Sequence, residues 1–347
     1  MFFYLRAMPP VLFSLIKTLR LPNLVIVVLS LAIPYWCVLR PAILQSGGIP
    51  ALNEKAFVWL VLATVLTTLA GYLVNDYFDR EIDALNRPDR VLVGKWVHPE
   101  FFLAIYLLVL LGSGWSAFQL YKALPWYRTN WPQWVFPVVS LLLMLYAWRF
   151  KCTPLTGNFL VAFLCGITPL LVFFPESRPL MLTALDAPDR IREATTVVGW
   201  YGLFAFMTTL YREQVKDLED FQGDATCGCH TLPVQRGVRF GKKAAVLTGI
   251  VLALLLGVLL LFWKEQYQQP WRLTAGALLL VAPVILSVLM VLKANEKRDF
   301  ARSSAVIKWV MLSGTVLLLP FLPDSFTGWK EQWPIWLDHI TYFLQQI

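Results

Sequence analysis

Nine times between residues 22 and 321 the sequence turns apolar for roughly 17 to 25 residues, the length a helix needs to cross about 30 Å of hydrocarbon. The stretches lie near 22–39, 56–75, 100–120, 132–149, 154–174, 195–213, 244–263, 272–292 and 304–321. Inside a bilayer a backbone must satisfy its own hydrogen bonds, and runs of this length do so as helices. The expected fold class is therefore all-α, a polytopic membrane protein with nine transmembrane helices in one domain spanning 1–347. A chain of 347 residues could hold two soluble domains, but 58% hydrophobic residues, 15% charged residues and a mean hydropathy of +0.60 exclude that reading.

The two flanks differ from the spans. Residues 1–21 place Arg6, Pro9, Pro10, Lys17 and Arg20 among aromatics and leucines, which reads as an interfacial lead-in without a signal-peptide cleavage site. Residues 329–347 repeat apolar side chains at Trp329, Trp333, Trp336, Leu337, Ile340, Phe343, Leu344 and Ile347, the spacing of an interfacial helix.

Positive connections stay in the cytoplasm, so Lys and Arg orient the bundle. With the N-terminus inside, 19 of the 30 basic residues fall on inner connections and 10 on outer ones, with Lys308 in the ninth span. The expected C-terminus is outside. The net charge of +8 then belongs mainly to the inner face, where it suits anionic lipid headgroups and an anionic substrate. No nucleic-acid-binding motif accompanies it.

Against this apolar background, ten of the 22 acidic residues fall in two windows, Asp76 to Asp89 and Glu213 to Asp224. Each follows an apolar span, the second and the sixth, so the expected topology places both on the inner side. On a helix Asn75, Asp79 and Asp83 are spaced by four, with Asp76 three before Asp79; Asp217, Asp220 and Asp224 repeat the three-and-four spacing. Such spacing stacks carboxylates on one face. Two facing ladders would supply oxygen ligands for one or two Mg²⁺ ions that keep positions open for phosphate oxygens. Helix ends reaching the headgroup region account for one such window, but less well for two.

Other constellations carry less. The five cysteines, Cys37, Cys152, Cys165, Cys227 and Cys229, imply no disulfide framework. Cys227-Gly228-Cys229-His230 lacks the fourth ligand and the spacing of a zinc site. A divalent-cation transporter would need acids at mid-membrane depth and on both sides of the barrier; here they gather at inner ends. The loop 86–99 and the loop 225–242 adjoin the acidic windows and can be read as covers or as plain connections.

The segment Asn75-Asp76-Tyr77-Phe78-Asp79-Arg80-Glu81-Ile82-Asp83 resembles the first signature, NDxxDxxxD, of the UbiA superfamily of intramembrane prenyltransferases. Asp217 to Asp224, followed by Gly228 and Thr231-Leu232-Pro233, resembles its second signature. The similarity takes in most of the chain, including Arg20-Leu21-Pro22-Asn23, Lys151 and Gly157-Asn158. The resemblance implies a helical bundle with a central cavity that binds a prenyl diphosphate through Mg²⁺.

By that resemblance Asn75, Asp79, Asp220 and Asp224 are the principal ligands, with Asp76, Asp83 and Asp217 in support. Lys151, Arg212, Lys216 and Arg20 would face the diphosphate. Tyr72, Tyr146 and Tyr211, on spans near the motifs, are candidates to stabilise an allylic cation. The second motif is most similar to the branch that prenylates geranylgeranylglyceryl phosphate, so the expected acceptor is an ether-lipid precursor of that type. An aromatic precursor of quinone or chlorophyll type is the alternative. The expected location is a bacterial or archaeal cell membrane.

Overall fold

A computed structural model describes residues 19–86, 97–124, 130–264 and 270–317. Most of the expected lead-in 1–21, residues 87–96 of the loop 86–99 and the whole of the expected helix 329–347 lie outside the described residues.

The described elements are helices. In chain order they are α1 (Leu21–Gln45), α2 (Glu54–Phe78), α3 (Arg80–Asn86), α4 (Pro99–Ala123), α5 (Trp131–Trp148) and α6 (Thr156–Asp186). Then follow α7 (Pro188–Glu219), α8 (Phe221–Thr226), α9 (Leu232–Arg236), α10 (Val238–Lys264), α11 (Leu273–Lys293) and α12 (Lys297–Leu317). The long helices alternate in direction, so the ends of α2, α5 and α7 meet the starts of α1 and α6 at one end of the bundle.

Seven described helices are long and apolar enough to cross a membrane: α1, α2, α4, α5, α6, α10 and α11. The remaining expected spans, 195–213 and 304–321, fall on α7 and α12, whose composition is more polar, and residues 318–321 lie outside the described part. Packing explains α7. It is wrapped by α6, α10, α12 and the middle of α1, and buries positions all along its length from Ile191 to Leu218. A helix sheathed by protein needs no lipid-facing apolar surface.

Close backbone approach makes this sheath possible. A Cβ at Gly166 of α6 would sit 3.1 Å from the Gly202 carbonyl oxygen, and one at Gly202 would sit 2.8 Å from that of Gly166. Only two glycines let α6 and α7 cross at this distance.

Two helices widen locally to π geometry, α1 over Ile33–Leu39 and α11 over Ala277–Val281. Pro34 and Pro283 lie within or just after these stretches, where a missing N–H disrupts the regular ladder. At the end of the bundle away from the acidic windows, the fully buried Glu176 accepts the backbone N–H groups of Ala51 and Leu52 at 2.9 and 2.8 Å. Tyr35 donates to the Leu52 carbonyl beside it. This latch ties the α1–α2 connection to α6.

Candidate active site

Both acidic windows fold in the same way. A long helix ends, a single Asp breaks it, and a short helix continues. In the first window Asp79 sits between α2 and α3, with φ −81° and ψ −2°; in the second Asp220 sits between α7 and α8, with φ −93° and ψ 4°. The helical register is nearly kept across each break, because the Asp83 N–H reaches the Asp79 carbonyl at 2.7 Å and the Asp224 N–H reaches the Asp220 carbonyl at 3.0 Å. The expected stacking of Asp76, Asp79, Asp83 and of Asp217, Asp220, Asp224 follows from this continuity. The short helices α3 and α8 pack against each other, which draws the two ladders together.

Cations of the chain hold the first ladder. Lys151, on the 3₁₀ turn Phe150–Cys152, forms an ion pair with Oδ2 of the buried Asp79. The Asn75 amide donates to the same oxygen at 2.5 Å. Arg20, just before α1, donates from Nη2 to Asp76 Oδ1 at 2.5 Å, and its guanidinium lies 4.7 Å from the centre of the Tyr72 ring.

The second ladder faces a cavity lined by Tyr146, Lys151, Asn158, Glu213, Lys216, Asp217, Asp220, Asp224, Cys229 and Thr231. The Asn158 amide donates to Asp217 Oδ2 at 2.7 Å. Thr231 donates to Asp224 Oδ2 at 3.4 Å. Burial and the neighbouring Asp220 charge push the Asp224 carboxyl up to about 6, against the pull of Lys151 and Lys216.

The structure thus brings Lys151, Lys216, Tyr146 and the three second-window Asp residues into one cavity, with Asp79 and Asn75 joined to it through Lys151. One expected residue stands elsewhere. Tyr211 is fully buried in the packing of α7 and bonds Ser287 of α11 at 3.0 Å, so it is a structural tyrosine. Arg212 spends Nη1 on the adjacent Glu213 at 2.7 Å. Among the described residues no three His, Cys, Asp or Glu side chains stand close enough to hold a metal ion by themselves.

Three contributors escaped the sequence reading. Asn158 and Thr231 were noted only as parts of a motif, yet each holds a carboxylate of the second window. The third is a correction: Cys152 and Cys229 form a disulfide, across 77 residues of sequence. Counting cysteines cannot reveal a pair that only tertiary approach defines. The bridge, together with a 2.9 Å bond from the His230 N–H to the Cys152 carbonyl, ties the Lys151 turn to the loop after Asp224.

Gly157 completes the junction, since a Cβ there would sit 2.5 Å from the Phe150 carbonyl oxygen and 3.0 Å from the Lys151 Cα. The Lys151 turn can rest on the start of α6 only because this residue has no side chain.

These features define a polytopic membrane protein with a carboxylate- and cation-lined site at one end of its bundle, suited to a polyanion that arrives with metal. The model of the UbiA prenyltransferase family matches residues 31–312. The digeranylgeranylglyceryl phosphate synthase of Methanopyrus kandleri is 32% identical over 301 residues, covering 85% of this chain and 98% of that protein. The synthase of the same name from Thermococcus kodakarensis is 30% identical over 283 residues, covering 80% of this chain and 89% of that protein. The chain belongs to the UbiA prenyltransferase family.

Two solved structures share the fold. A digeranylgeranylglyceryl phosphate synthase structure covers 92% of this chain and 98% of its own at TM-score 0.57 and 20% identity. The apo UbiA homolog of Aeropyrum pernix K1 covers 84% and 97% at TM-score 0.55 and 18% identity.

Proposed function

We propose that this membrane enzyme transfers a prenyl group from a prenyl diphosphate to a lipid-soluble acceptor, and that the acceptor is an ether-lipid precursor of the geranylgeranylglyceryl phosphate type. The observation that carries the prenyl transfer is the cavity that gathers the second Asp ladder with Lys151 and Lys216, Lys151 also pairing with Asp79 of the first ladder. The acceptor rests on similarity along nearly the full length of relatives named digeranylgeranylglyceryl phosphate synthase.

The residues present fit Mg²⁺. Their donors are carboxylate and amide oxygens, and Mg²⁺ binds through one or two carboxylates while keeping positions open for waters or substrate phosphates. Asn75, Asp79, Asp220 and Asp224 would hold the ion, supported by Asp76, Asp83 and Asp217. When bound, Mg²⁺ supplies hard positive charge to the diphosphate.

The chain's own groups do the rest. Lys151 and Lys216 place positive charge where the leaving diphosphate gains negative charge, at a site poor in water. Lys151, paired with Asp79 in this structure, would turn its charge toward the diphosphate. The allylic C–O bond breaks with its electron pair on the diphosphate. Tyr146 lines the cavity and offers its ring to the electron-deficient carbon. An acceptor hydroxyl forms the new C–O bond and passes its proton to the released diphosphate. The site faces the cytoplasm on the distribution of Lys and Arg, with the N-terminus on the same side.

The test is purified protein supplied with labelled geranylgeranyl diphosphate and separate acceptors. Product is expected with geranylgeranylglyceryl phosphate. Transfer only to 1,4-dihydroxy-2-naphthoate or 4-hydroxybenzoate would move the enzyme to the aromatic class.

A further inference from the structure

One short connection, residues 150 to 158, touches both acidic windows. At its start Lys151 pairs with Asp79; at its end Asn158, in the first turn of α6, donates to Asp217. The two contacts differ in chemistry. Asp79 and Asp76 are held by a Lys and an Arg, pairs that neutralise the carboxylates and must loosen before another cation can use them. Asp217 is held by a neutral amide. Such a bond fixes the orientation of a carboxyl group without setting a competing cation on it.

Asn158 is also well placed to act as a fixed support. It is 5% exposed, lines the same cavity as Asp217, Asp220 and Asp224, and follows Gly157, the point on which the Lys151 turn rests. We propose that Asn158 is the positioning residue for Asp217, holding Oδ2 so that Oδ1 is left to meet an incoming cation. The Lys151–Asn158 connection then sets the spacing of the two ladders, one end on each. This inference rests on the reading of the site as a cation-and-diphosphate centre.

The experiment is a double-mutant cycle of Asn158→Ala and Asp217→Asn in the full chain. Two readouts are taken: Mn²⁺ binding to the substrate-free protein by electron paramagnetic resonance, and KM and kcat with a prenyl diphosphate. Asn158→Ala is expected to weaken Mn²⁺ binding and raise the diphosphate KM by about tenfold, the lower end of what a hydrogen bond to a charged group is worth. The loss in kcat should be smaller. Once Asp217 is Asn, the second substitution should add nothing.

Asn158→Ser, which keeps a donor, should recover part of the Mn²⁺ affinity and covers the case in which the alanine variant does not fold. Independent, additive losses in the double variant, or unchanged Mn²⁺ binding in Asn158→Ala, would overturn the assignment. Because Mn²⁺ binding is read without substrate, an unexpected acceptor leaves this result standing, and an expected acceptor does not rescue it.

Discussion

Lys151→Met tests the centre of the site most directly. The ammonium of Lys151 pairs with Asp79, whose side chain is 5% exposed against 21% for Lys151. Removing it leaves Asp79 with the Asn75 amide. Breaking a buried pair costs about 3–5 kcal/mol, and the wetter lysine end puts this pair near 3 kcal/mol in metal-free protein. Mg²⁺ can replace the missing charge at Asp79, so the variant should be stabilised more by Mg²⁺ than the wild type is.

On the proposed mechanism turnover behaves differently, because Lys151 also faces the leaving group. A fall in kcat of about 10²–10³ is expected, the cost of removing one preorganised electrostatic partner. Thermal unfolding of the solubilised protein, followed by tryptophan fluorescence with and without Mg²⁺, reads the first effect; transfer of labelled prenyl groups reads the second. Instability that Mg²⁺ does not relieve would refute Asp79 as the landing place of the cation. Wild-type turnover would refute the role of Lys151 altogether.

Asp79→Asn and Asp220→Asn should each abolish transfer, the first at the added cost of leaving Lys151 without its ion pair; near-normal rates in both would remove the metal assignment. Gly157→Ala pushes a Cβ to 2.5 Å from the Phe150 carbonyl oxygen, so the Lys151 turn must shift. Displacements of this kind cost up to about 10²-fold in rate, and a wild-type kcat/KM would show that the placement of the turn does not matter. Peptide mapping after thiol blocking should find Cys152 linked to Cys229, with Cys37, Cys165 and Cys227 free. A Cys152 that alkylates as fast as Cys227 would contradict the bridge.

Cys227 itself is exposed, and burial together with the Glu81 and Asp224 charges raises its thiol above the usual range. The thiolate is the reactive form, so alkylation of Cys227 should be slow at neutral pH and should keep accelerating at pH values where an ordinary thiol has levelled off. An early plateau in rate would count against that shift.

The helical class, the apolar runs and the two Asp ladders were legible in the sequence because each depends on spacing along the chain: about 20 residues for a span, three and four for a shared helix face. Asp76, Asp79 and Asp83, like Asp217, Asp220 and Asp224, needed only local helical continuity to stack, and each window has it through a single break.

What joins them was not legible, because it depends on approach between segments far apart in sequence. The pairing of Lys151 with Asp79 spans 72 residues, that of Asn158 with Asp217 spans 59, and the Cys152–Cys229 bridge spans 77. The same holds for the tyrosines. Tyr146 and Tyr211 look alike as residues on spans near the motifs, yet packing turns one into the cavity and the other into Ser287. Sequence determined which side chains could hold a diphosphate and a cation; the crossing of α6 with α7 and the contact of α3 with α8 decided which of them meet, because local spacing fixes a face but only packing fixes what that face sees.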